Sequence, residues 1–134
     1  MARTKNIQPT YWGFNAPFWG GQNNVMSRQE DQQLIKNDLL QLLQTSPGER
    51  VHRPTFGTLI RSTLFNPLDG STAAILRQNI IQQITTYEPR VVTQSVDISS
   101  DPLDDQRINI KIIVNPKYDP LIEFLIEMTF NSQA

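Results

Sequence analysis

Two short segments carry ionisable side chains on stiff backbone. One is Pro47-Gly48-Glu49-Arg50 and the other is Tyr87-Glu88-Pro89-Arg90. A guanidinium is a planar fork that meets a carboxylate through two parallel hydrogen bonds. The glutamates and arginines can therefore form internal ion pairs that fix the junctions between elements, or they can face a partner protein. Spacing alone leaves both readings open. Glycoside hydrolysis is the catalytic alternative, and it needs two carboxyls roughly 5–10 Å apart across the scissile bond. Glu49 and Glu88 are the carboxylates on rigid turns able to converge, but each stands near an arginine, which makes a poor general acid. Glu123 and Glu127 share one strand face at a spacing of about 13 Å.

Other chemistry is sparsely supported. His52 is the single histidine and cysteine is absent, so a metal centre lacks its usual ligands. Asp101, Asp104 and Asp105 lack the glycine and terminal glutamate of a calcium-binding loop and read as a solvated hairpin. No cofactor motif is visible. Twelve basic and thirteen acidic residues leave a net charge of -1, against the basic excess of a nucleic-acid binder. No apolar run approaches the roughly 20 residues of a membrane span, and the first residues have no apolar signal core.

The elements that would position these groups follow from hydrophobic spacing. The 134 residues suffice for one domain with a modest core. Residues 1–26 read as an extended arm in which Trp12, Phe14, Phe18 and Trp19 lie among glycines and prolines. Neither helical nor strand periodicity fits it. Its aromatics pack on their own domain or wrap a neighbour. Ser27-Arg28-Gln29-Glu30 reads as a capping box opening a helix to about Gln44, with Leu34, Ile35, Leu39, Leu42 and Leu43 on one side. A turn-rich stretch from 51 to 67 holds one short helix around Leu59, Ile60 and Leu64. Asp69-Gly70-Ser71-Thr72 caps a second long helix, and Pro89 ends it near Tyr87.

Beyond Arg90 the period becomes two. Val92, Val96 and Ile98 are expected on one face of a first strand, and 99–105 as a polar loop. Ile108, Ile110, Ile112 and Val114 mark a second strand, and Ile122, Phe124, Ile126, Met128 and Phe130 a third. The expected fold is α+β. Two main helices plus a short helix pack on a three-stranded antiparallel β-sheet, with residues 27–134 as one domain behind the arm.

The run 44–50, then Pro54-Thr55-Phe56-Gly57, Leu64-Phe65 and the triplet Glu88-Pro89-Arg90 resembles the small baseplate wedge proteins of contractile-tailed phages. The same family serves type VI secretion baseplates and contractile bacteriocins. The resemblance spans about residues 27–130 and implies a structural role without cofactor or metal, although a lysozyme-like label also attaches to the family. It implies a place in the virion tail baseplate, assembled in the host cytoplasm. It implies docking on the helical core bundle of other wedge proteins through Glu88, Pro89 and Arg90, with Glu49 and Arg50 in support. It further implies sheath initiation by strand addition to the C-terminal sheet, with the tail tube or hub as further neighbours and neither nucleic acid nor membrane. The candidate strand is 121–130, with Ile122, Phe124, Ile126 and Met128 as pairing residues. A three-stranded meander has two open edges able to accept such a strand.

Overall fold

The computed structural model of the protein describes residues 12–14 and 28–131. Two compact units divide between Asn37 and Asp38. In the first, β1 (Trp12–Phe14) pairs antiparallel with β2 (Arg28–Glu30), Gly13 opposite Gln29. Part of the arm is thus a strand, contrary to the aperiodic expectation. Phe18 and Trp19 lie outside the described residues. The capping-box reading is corrected as well. Arg28–Glu30 are used in the ladder with β1, so α1 (Asp31–Gln44) starts at Asp31. Its apolar side is the expected one, with Leu34, Ile35, Leu39, Leu42 and Leu43 all buried.

The second unit is α+β. It holds residues 38–44 of α1, then α2 (Ile60–Thr63), α3 (Gly70–Tyr87) and a sheet of order β3-β4-β5. The strands are β3 (Val91–Asp101), β4 (Asp104–Pro116) and β5 (Phe124–Asn131), paired antiparallel. Leu76, Ile80 and Ile84 recur every four residues on α3 and are buried. α3 packs on β3. The central strand supplies Ile108, Ile110, Ile112 and Val114, each almost fully covered.

Three sheet details differ from the simple period-two reading. Val91 is buried while Val92 is exposed, the reverse of the expected phase. The cause is a register shift between Thr93 and Ser95 that leaves Gln94 as an extra residue, so Val96 faces inward again. The expected polar loop at 99–105 is mostly strand, and only Pro102 and Leu103 connect β3 to β4. Ile122 lies ahead of β5 in the preceding connection. Asn115 holds that connection, donating from Nδ2 to the carbonyls of Pro120 and Ile122, each at 3.0 Å. A buried polar side chain reaching two carbonyls stabilises a bend that the β4–β5 ladder cannot.

Between α1 and α2 the chain returns close to the end of α1. The Thr58 hydroxyl donates to the Leu43 carbonyl at 3.0 Å, and its N–H donates to Thr45 at 2.9 Å. Gly57 has φ +123°, and a Cβ there would stand 2.5 Å from the Thr45 carbonyl oxygen. Both the backbone sign and the space require glycine. Gly57→Ala is expected to cost roughly 3 kcal/mol in urea unfolding; an unchanged midpoint would sink the close-approach argument.

At the start of α3 the Asp69 carboxylate accepts from the Thr72 N–H at 2.7 Å and the Ser71 hydroxyl at 2.9 Å. The Thr72 backbone bond, foremost, holds the carboxyl below its ordinary value. A depressed pKa gives stability that is present above the unfolded value and lost as pH falls through the folded one. The melting-temperature gap between the wild type and Asp69→Asn, whose cap does not titrate, should therefore shrink on acidification below the ordinary carboxylate range. A constant gap would count against it.

Candidate functional site

Pro89 restricts the residue before it to extended backbone. Glu88 accordingly leaves the helix with φ −128° and ψ 73°, while its N–H still closes α3 on the Ile84 carbonyl at 2.8 Å. The chain turns at Pro89, and Arg90 stands at the entrance to β3. Arg90 Nε donates to Glu88 Oε1 at 2.5 Å and Nη2 donates to Oε2 at 2.6 Å. Nη2 also donates to Asp38 Oδ2 at 2.5 Å. One guanidinium therefore joins the C-terminus of α3, the start of β3 and the middle of α1.

Glu88 is 4% exposed, and both its oxygens are occupied by Arg90. The hydrogen bonds to Glu88 hold the Arg90 guanidinium above its ordinary pKa, against the opposing effect of burial, and Asp38 adds to them. Of the two readings of the triplet, this geometry realises the internal lock for Glu88 and Arg90, while Pro89 remains exposed. Asp38 was invisible in the sequence. It sits 52 residues from Arg90 among other polar residues of α1, and no local spacing connects the two.

Glu49 and Arg50 part ways. Glu49 closes its own turn, accepting from the Ser46 N–H at 3.0 Å, and lies 3.6 Å from Arg61. Arg50 turns the other way and lies over the Phe56 ring, 4.2 Å from its centroid. Phe56 in turn meets Tyr87 edge-to-face, with centroids 5.0 Å apart and planes at 71°. The Tyr87 and Thr55 hydroxyls are hydrogen-bonded. Asp38, Gln41, Arg50, Phe56, Tyr87 and the triplet together line a cavity of ≈ 330 Å³. Glu49 is not among its walls. The two glutamates thus have separate partners, and a glycosidase pair does not assemble from them.

The remaining candidates lie elsewhere. Phe124, Ile126 and Met128 are on β5, and Ile126 is core. Trp12 and Phe14 are on β1. His52 is exposed in a turn. Arg77, which the sequence reading did not single out, donates from Nε to the Val96 carbonyl of β3 at 2.8 Å.

Residues 29–120 match the family described as baseplate wedge protein gp25. A relative of that name from Enterobacteria phage T4 is 30% identical over 93 residues, which is 69% of this chain and 70% of its own. Among solved structures, a Geobacter sulfurreducens protein provisionally called a tail lysozyme aligns with a TM-score of 0.67. Its identity is 24%, over 77% of this chain and 92% of its own. A chain of the anti-feeding prophage baseplate gives a TM-score of 0.63 at 18% identity, over 92% of this chain and 87% of its own. At those identities the structural likenesses establish the fold.

Arg90→Ala would leave a buried carboxylate without its partner, and the expected loss is about 3 kcal/mol. Arg90→Lys keeps the charge without the fork and should fall between the two. Equilibrium unfolding of the isolated chain measures this, and an Arg90→Ala protein as stable as the wild type would remove the lock.

Proposed function

The chain belongs to the gp25 family of baseplate wedge proteins, and on that premise we propose that it is a structural, non-enzymatic subunit of a contractile-tail baseplate. Its place is the virion, in the tail baseplate, after assembly in the host cytoplasm. It docks on other wedge proteins through the face around exposed Pro89, which the Glu88–Arg90–Asp38 lock stiffens, with Arg50 beside it. It starts the tail sheath by accepting a sheath strand on the edge of β5. The tail tube or hub are further neighbours in this reading.

The observation that carries the sheath assignment is the inequality of the two outer strands. Strand carbonyls lie in the sheet plane, and the space between paired strands, about 4.8 Å wide, has no room for a guanidinium. The Val96 carbonyl that Arg77 grips therefore points to the outer side of β3. That edge is partly closed by the arginine, and the extra residue at Gln94 distorts it further. Among the described residues no strand pairs with the outer side of β5.

The same hydrogen bond sets the phase of the ladder. Antiparallel pairs alternate between exchanging both main-chain bonds and exchanging none. With the groups of Val96 turned outward, Ile112 opposite it directs its own toward Ile126 on β5. Phe124, Ile126 and Met128 then bond to β4, and the free amides belong to Leu125, Glu127 and Thr129. This moves the proposed pairing residues by one position. The core also thins toward β5, where Met128 and Phe130 are only half-buried while the β4 isoleucines opposite are covered. An added strand with apolar residues at alternate positions would complete that layer.

Proline removes a ladder donor, and edge strands tolerate it where the N–H faces outward. Leu125→Pro is expected to fold, with a melting temperature near that of the wild type, and to give particles without sheath in electron micrographs. Normal sheaths built on the folded variant would refute the β5 assignment.

A further inference from the structure

The cavity beside the lock holds two carboxylates and two guanidinium groups, from Asp38, Glu88, Arg50 and Arg90. Arg90 takes both carboxylates. Arg50 is left with one long hydrogen bond from Nη2 to Gln41 Oε1, at 3.4 Å, and with the face of Phe56. Among the described residues no carboxylate lies within ion-pair distance of it. Its guanidinium carbon lies over the Phe56 ring, and Arg50 lines the cavity.

We propose that this cavity binds a side-chain carboxylate of the docking partner, an aspartate or glutamate, held in bidentate fashion by Arg50. The inference rests on the docking reading above and adds the chemistry of what docks. Three features favour an acid over a base. The carboxylates of the wall are already engaged by Arg90. The cation without a carboxylate is the one stacked in place. A guanidinium lying on an aromatic face loses less freedom on binding than one extended into water. Phe56 is itself fixed by Tyr87, and Tyr87 by Thr55, so the fork rests on side chains that are already placed.

The test uses the full chain with 15N-labelled arginine and N-acetylglutamate as probe. Saturable shifts are expected at the Arg50 Nε–Hε signal and at the Phe56 and Tyr87 rings, in the range of about 10–100 mM for charge-assisted hydrogen bonds. N-acetylglutamine should give none. Arg50→Lys, which keeps the charge, should weaken the response at least about fivefold, and Arg50→Gln should abolish it. Equal effects of the two probes, or equal shifts at Arg53 and Arg61, would overturn the site. In assembling particles, Arg50→Gln should lower incorporation of the chain about tenfold, and unchanged incorporation would also overturn it. Pro89→Asp, checked for folding by its melting temperature, separates the two claims. If it is excluded from particles while Arg50→Gln is retained, docking stands and the carboxylate site falls. If both are retained, the docking face falls as well.

Discussion

One guanidinium shared between two carboxylates is the constraint on which the second unit is arranged. Arg90 belongs to the first turn of the sheet, Glu88 to the last turn of α3, and Asp38 to α1. Removing these groups from water is costly, and their mutual attraction offsets that cost only when the geometry is good. Proline between glutamate and arginine supplies that geometry by allowing Glu88 little but an extended backbone. The interaction is therefore better regarded as a device for specificity than as a large source of stability. It sets where α3 ends, where β3 begins and how α1 meets both. The cavity wall of Arg50, Phe56 and Tyr87 is built around the same junction.

The sheet repeats this use of one arginine at a boundary. Arg77 closes part of β3, and on β5 Glu127 pairs at 3.0 Å with Lys111 opposite it on β4. β4 is paired on both sides and carries the continuous row of covered isoleucines. A meander with one edge obstructed and one available has a direction in which it can grow.

Much of this fold was legible because the signals are local. The faces of α1 and α3 follow from spacing, the Asp69 cap from its own first turn, and the end of α3 from Pro89. The failures occur where a distant partner decides. Ser27-Arg28-Gln29-Glu30 has the composition of a capping box, but pairing with residues 12–14 claims Arg28–Glu30 for a strand. Val92 follows the apolar rhythm of its neighbours, yet the extra residue at Gln94 turns Val91 inward instead. The triplet was visible as a docking or locking point. That its third member would be Asp38, and that Arg50 would lie apart from Glu49, depended on how the chain packs. The edge carbonyl held by Arg77 was equally hidden, because nothing in a helix sequence marks an arginine for a neighbouring strand.

The extra residue at Gln94 also ties the sheet to the ion-pair lock. Along a strand, successive side chains alternate between faces, so one extra unpaired residue turns everything on one side of it by half a turn relative to a regular strand. Were Gln94 paired regularly instead of left as the extra residue, the strand would alternate strictly from Val96 back, with Val92 inward and Val91 outward. Arg90, next in line, would swing with them, away from Glu88 and Asp38. The apparent irregularity in β3 is thus a phase adjuster between two demands with different periods, the pleat that buries Val96 and the turn that aims Arg90. Loss of one residue between 92 and 95 would make the ladder regular with Val91 still opposite Pro116 and Val96 still opposite Ile112, so this stretch can shorten by one residue without turning Arg90 away, although read by composition it looks like an ordinary polar strand.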